Sequence, residues 1–211
     1  MRIAGLVKQS FIDYPDKMAC VIFTQGCNFR CGYCHNPSLV LPELFGQNQL
    51  IDEQEVLQYL EGRKDWLEGV VITGGEPTIH GDLPDFIKKV KQMGYCVKLD
   101  SNGTNPDMLE QLLADKMLDF IAMDIKSNPD AESYSKIIGK DATAIMPNIW
   151  RSIKIIQHSG IGYQFRTTLV PHVHPVGIAD DIINFLEYDN NFITQQYRDG
   201  DTVAKRLEKW V

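Results

Sequence analysis

The 211-residue chain reads as an α/β protein, a partial (β/α)6 barrel built on a parallel sheet. Three observations predict this. Six short apolar runs rich in strand formers alternate with segments of helical periodicity, the pattern of a parallel sheet. The length falls short of the roughly 250 residues typical of a closed eight-unit barrel. The chemically unusual residues all follow predicted strands, at the rim where barrels of this type carry their active sites. Turns of purely structural origin would be spread over both rims.

The first strand is ACVIFT (19–24), followed by a loop rich in cysteine. DEQEVLQYLEGR (52–63) has apolar residues at helical spacing and an acidic first turn. The second strand, GVVIT (69–73), runs into GGEP (74–77). LPDFIKKVKQMG (83–94) is a helix stopped by glycine. The third strand, YCVKLDS (95–101), ends in DSNGT (100–104), and NPDMLEQLLAD (105–115) follows with Asn105 as cap and Pro106 in the first turn. The fourth strand, DFIAMDI (119–125), carries Asp124 and Lys126 at its end, and SNPD (127–130) is the nearest thing to a break. A helix in 142–160, a fifth strand GYQFRTTLV (162–170), a helix in 177–188 and a sixth strand NFITQQ (191–196) complete the series.

Nothing suggests an interdomain linker, a repeat or a low-complexity tract, so one domain over 1–211 is expected. The formal charge of −7 argues against a general nucleic-acid binder, whose affinity rests on basic surface. MRIAGLVKQSFIDYP lacks the parts of a signal peptide, and no apolar run reaches the length of a membrane span. The expectation is a cytoplasmic protein with reduced thiols and no membrane partner.

CNFRCGYCHN (27–36) places Cys27, Cys31 and Cys34 within eight residues of a chain that has five cysteines. A disulfide framework suits short secreted chains. Cys31–His35 matches the attachment motif of c-type haem, and Cys31/Cys34 a thioredoxin-like pair, but both leave Cys27 unexplained. Zinc held by the three cysteines and His35 would crowd four ligands into nine residues, whereas structural zinc commonly pairs two separated knuckles. An iron–sulfur cluster takes one thiolate per iron. Three thiolates then leave a fourth corner open, and open coordination sites are where metals do chemistry. Cys20 and Cys96 lie inside strands and read as small core residues.

Each remaining motif has a plain structural reading. Gly74-Gly75 and Asn102-Gly103 are ordinary turn sequences, Asp124 and Lys126 an ordinary surface pair, and Arg166, His172 and His174 loop or strand-end residues without assigned roles. Their gathering on one rim with the three-cysteine loop favours a functional reading.

The C-x3-C-x2-C loop with Tyr33 before the last cysteine, together with GGEP, resembles the radical S-adenosylmethionine superfamily. The resemblance implies a partial or full barrel and a [4Fe–4S] cluster on Cys27, Cys31 and Cys34. It implies that S-adenosylmethionine chelates the open iron through its amino and carboxylate groups. Gly74 and Gly75 carbonyls and the Glu76 carboxylate would accept from the amino group, Lys126 would neutralise the carboxylate, and Asp100, Ser101 and Asn102 would meet ribose hydroxyls or the amino-acid moiety. Asp100 and Asp124 are an alternative pair for holding a cation, and Tyr33 would lie near the adenine. At finer grain, CNFRCGYCHNP, DSNG and DIK resemble activating enzymes of glycyl-radical proteins, and SFIDYPDKMACVIFTQGCNFRCGYCHNPSLV is most similar to the activating protein of anaerobic ribonucleoside-triphosphate reductase. That resemblance implies a flavodoxin or ferredoxin electron donor, cleavage of S-adenosylmethionine to methionine and a 5′-deoxyadenosyl radical, and hydrogen abstraction from a partner's glycine. Activation of another glycyl-radical enzyme such as pyruvate formate-lyase, a radical S-adenosylmethionine enzyme of a small molecule, and a zinc scaffold are the alternatives.

Overall fold

A computed structural model describes residues 1–207. Its core is one seven-stranded sheet whose spatial order follows the chain order. The elements run β1 (Ile3–Ser10), β2 (Ala19–Thr24), α1 (Pro37–Val40), α2 (Glu53–Glu61), β3 (Gly69–Gly74), α3 (Leu83–Gln92), β4 (Cys96–Ser101) and α4 (Pro106–Ala114). They continue through β5 (Phe120–Asp124), α5 (Ala131–Ile138), α6 (Met146–Gln157), β6 (Gly162–Leu169), α7 (Ile178–Phe185), β7 (Phe192–Gln196) and α8 (Val203–Leu207). Strands β2 to β7 are all parallel, as the strand–helix alternation predicts. Among the described residues no helix is long and apolar enough to cross a membrane.

Four elements escaped the sequence pattern: β1, α5 and the short helices α1 and α8. β1 precedes the first predicted strand and pairs with β2 in the antiparallel sense. Its burial does not alternate, so it lacks the period-two signature. Gly5 lets it lie close on Phe23, whose Cβ would be 3.3 Å from a Cβ at that position. α5 follows the polar stretch that read as a break. Asp130, the last residue of that stretch, is its N-cap and accepts from the Ser133 amide at 2.8 Å, and Gly139 ends it in a left-handed conformation. Asn105 caps α4 as predicted, accepting from Met108 N.

The sheet has unlike faces. Cys20, Ile22, Val70, Ile72, Val97, Leu99, Ile121, Met123 and Phe165 alternate along the strands and form one buried cluster with helix residues such as Leu60, Phe86, Val90, Leu109 and Ile149. The opposite face carries Ala19, Val21 and Val71 at its lower end, where Tyr14 of the β1–β2 loop plugs it against Phe120 at 6.0 Å between ring centroids. Towards the C-terminal strand ends the same face turns polar. Register places Asp100 beside Ala122 and Asp124 beside Arg166. The helix-facing cluster thus anchors the strands, and the strands carry the polar groups to one rim.

Ile72 sits at the centre of that cluster with no exposure. Ile72→Ala is expected to destabilise the fold by about 2–5 kcal/mol, read from denaturant unfolding midpoints.

Candidate functional site

The cysteine loop leaves β2 at Thr24 and is held from several directions. Gly75 N donates to Thr24 O at 2.9 Å and Glu76 N to Gly26 O at 2.8 Å, so the GGEP turn of β3 lies against the loop's start. This contact explains the glycines. A Cβ on Gly75 would lie 1.9 Å from the Gly26 carbonyl oxygen, and one on Gly74, whose φ is +113°, would lie 2.4 Å from Thr24 N. The glycines are therefore required by backbone packing between neighbouring strand ends, independently of any ligand.

A second set of bonds joins the loop to the end of β4. Asn102 Nδ2 donates to Asn28 Oδ1 and Asn28 Nδ2 to Thr104 Oγ1, both at 2.8 Å, while Thr104 returns two bonds to Asn102 Oδ1. Arg30 folds back to donate to the Cys27 and Phe29 carbonyls at 2.7 and 2.6 Å. On the far side the first turn of α8 supplies amide donors, Val203 N to Cys34 O at 3.0 Å and Ala204 N to Gly32 O at 2.9 Å. Thr104 closes the DSNGT motif without an assigned role, and Asn28, Arg30 and α8 carried no sequence signal. They act by position, and a single sequence does not display which carbonyl a remote amide will meet.

Glu76 is the buried hub beneath the loop, 1% exposed. Its Oε1 accepts from Thr78 N, Thr78 Oγ1 and Ser101 Oγ, and its Oε2 from Asn102 N at 2.7 Å. Burial pushes its carboxyl upward, against these same donors. The side chains of Ser101 and Asn102 are thus already engaged by the protein.

A ladder of partly buried charge crosses the strand ends. Lys98 bonds Asp100, Arg166 reaches Asp100 Oδ2 at 3.4 Å and Asp124 Oδ1 at 2.8 Å, and Lys126 meets Asp124 Oδ2 at 2.9 Å. Burial alone would raise the Asp124 carboxyl, but Arg166 and Lys126 outweigh it and hold it well below the carboxylate range. Burial likewise opposes the charge on Lys126, and Asp124 foremost raises it well above an ordinary lysine. The cation lying between Asp100 and Asp124 in this chain is its own Arg166. Three cations against two carboxylates leave the ladder with one positive charge in excess.

One cavity of about 230 Å³ joins these parts. It is lined by Cys27, Cys31, Cys34, Tyr33, Gly74, Gly75, Glu76, Asp100, Ser101, Asn102, Asp124 and Lys126, every residue that the motifs singled out for metal or cofactor, together with Thr168, which they did not. Burial raises the thiols, Cys27 to about 11 and Cys31 to about 12, and Lys126 opposes it at all three cysteines. Binding iron would therefore release protons from these thiols. Among the described residues no three His, Cys, Asp or Glu side chains converge on a single metal ion. A cube-shaped cluster instead needs thiolates spread around a cavity wall with one side open, and this donor set fits it. His35, the nitrogen ligand of the zinc alternative, stacks on Tyr197 with centroids 5.4 Å apart and bonds the Arg198 carbonyl through Nε2 at 2.6 Å.

The two downstream histidines differ. His172 is exposed in a left-handed conformation at φ +64°. His174 Nδ1 accepts from Val170 N at 3.0 Å, so Nε2 carries the proton and donates to Lys126 O at 2.9 Å, tying β6 to the end of β5.

The fold and site define a class: an incomplete parallel barrel with a three-thiol loop at its C-terminal rim. The chain matches the family model described as "Radical SAM superfamily" over residues 21–188. It belongs to the radical S-adenosylmethionine superfamily, whose [4Fe–4S] cluster and S-adenosylmethionine are its cofactors. It is 30% identical over 210 residues to a Methanocaldococcus jannaschii protein named as a glycyl-radical enzyme activating enzyme, covering 98% of this chain and 84% of that one. It is 30% identical over 175 residues to the pyruvate formate-lyase-activating enzyme of Clostridium pasteurianum, covering 81% and 69%. A solved radical SAM methyltransferase from Sphaerobacter thermophilus superposes with a TM-score of 0.64 at 15% identity, covering 89% of this chain and 57% of its own, and shares the fold.

Gly75→Ala is expected to displace the cysteine loop and cut iron and sulfide retained after anaerobic reconstitution, with a loss of stability of about 1–3 kcal/mol. His174 tests the strand tie by pH. Burial lowers its pKa, so the unfolded chain binds the extra proton and stability falls as pH drops below about 6.5. His174→Gln, which keeps a donor and an acceptor, should flatten the fall in unfolding midpoint between about pH 7 and 5.5.

Proposed function

We propose that this chain activates a glycyl-radical enzyme, with anaerobic ribonucleoside-triphosphate reductase as the target. The observation that carries the reading is its relationship to two glycyl-radical activating enzymes over more than two thirds of their length. The choice of the reductase rests on the resemblance of the segment 10–40 to that enzyme's activating protein. A flavodoxin or ferredoxin is the proposed electron donor.

In this reading Cys27, Cys31 and Cys34 hold the cluster and leave one iron to S-adenosylmethionine. When bound, the cluster supplies the electron that breaks the cofactor's carbon–sulfur bond, giving methionine and the hydrogen-atom acceptor that acts on the partner's glycine. The chain's own residues orient that chemistry. The Gly74 and Gly75 carbonyls accept from the amino group, and Glu76 Oε2, which accepts one protein bond, keeps capacity for another. Lys126 meets the carboxylate, which the surplus positive charge of the ladder favours. Arg166 holds Asp100 and Asp124 apart from that carboxylate by pairing both. Asp100, Ser101 and Asn102 form the wall at the ribose, and Tyr33 lies at the adenine.

Reconstituted protein, a reductant and S-adenosylmethionine mixed with the reductase should yield a glycyl doublet in electron paramagnetic resonance. No doublet with the reductase but one with pyruvate formate-lyase would reassign the partner. No doublet with any glycyl-radical enzyme would move the reading to a small-molecule substrate.

A further inference from the structure

Among the described residues, β7 is paired on one side only, with β6. Asn191 O accepts from Phe165 N and Tyr197 N donates to Leu169 O, so the odd-numbered residues of β7 face β6. Backbone groups alternate along a strand, and the amides and carbonyls of Thr194 and Gln196 therefore point outward. Ile193 is 38% exposed, and Thr194, Gln195 and Gln196 are exposed as well. An open edge is ordinarily blunted by lysine, proline or a bulge. FITQQ has no charge and no proline. The opposite edge is guarded: β1 carries Lys8, whose carbonyl accepts from Tyr59 Oη at 2.8 Å, and Ile3 bridges to Ile51.

The open edge leads to the site. A groove lined by His35, Thr168, Gln195, Gln196, Arg198 and Asp199 runs from the end of β7, and His35 and Thr168 also line the cofactor cavity. A strand laid along β7 would reach the cavity mouth.

We infer that β7 is the docking edge for the radical-accepting segment of the partner, which binds as an added strand bonded to the backbone of Thr194 and Gln196. The inference rests on the activase reading and extends it. A target glycine offers no side chain to recognise, so selection falls on its backbone and its neighbours. Strand addition reads a backbone directly and leaves alternate side chains to set specificity.

The test uses reconstituted protein with S-adenosylmethionine and a synthetic peptide spanning the reductase's glycyl-radical loop. Hydrogen–deuterium exchange at the Thr194 and Gln196 amides should slow when the peptide is added. Thr194→Pro removes an outward donor without removing a bond to β6, a placement proline tolerates on an edge. It should raise the KM for the peptide roughly tenfold with kcat little changed. A retained spectral response to S-adenosylmethionine would report that the variant is folded. If the wild-type protein installs a radical while both amides exchange as before, the inference fails and the activase reading stands. If it installs none on any partner, the reading fails and the inference with it. Protection that rises with protein concentration in the absence of peptide would assign the edge to a second copy of this chain and overturn the proposal.

Discussion

Two turns from neighbouring strands meet backbone to backbone, Gly75 against Gly26, with no room for a side chain between them. The cysteine loop starts at that contact, so its place in the molecule is set by the register of β2 on β3, where Thr24 pairs with Gly74. Everything else at the rim builds outward from this pair. Glu76, one residue on, turns beneath the loop and collects donors from Thr78 and from Ser101 and Asn102 at the end of β4, which links the ends of β3 and β4 through one buried carboxylate.

The loop cannot organise itself. Eight residues carrying three thiols have few side chains left for packing, and their carbonyls need donors. Those donors come from Arg30 within the loop and from α8, nearly the whole chain away. These bonds are made by the protein alone, and pre-organisation of this kind lowers the cost of assembling a cluster.

Polar and apolar interests are separated by strand alternation. One face of each strand is spent on the helix layer, and the other is left to carry Lys98, Asp100, Asp124 and Arg166. Buried charges are costly unless paired. Pairing them in a ladder leaves a single surplus cation without several unpaired lysines, and Lys126 at the end of the ladder lines the cavity. The same pairing gives Arg166 a role: it is the internal counterion to two carboxylates.

Much of this was readable from the residues alone. Strand–helix alternation determined the parallel strands β2 to β7, because a side-chain period of two or of 3.6 is a local property. Cysteine spacing, GGEP, DSNG and DIK determined which residues would line the site, because strands in a parallel sheet share one direction and must end on one rim. The antiparallel β1 and the helix α5 were hidden, the one without alternation and the other short. Only the tertiary structure decided that Gly75 serves the contact with Gly26 and Gly74 the contact with Thr24, that Asn28, Thr104 and α8 hold the thiol loop, and that His174 ties two strand ends. These are contacts between residues distant in the chain, and a distant contact leaves no period and no spacing in a single sequence.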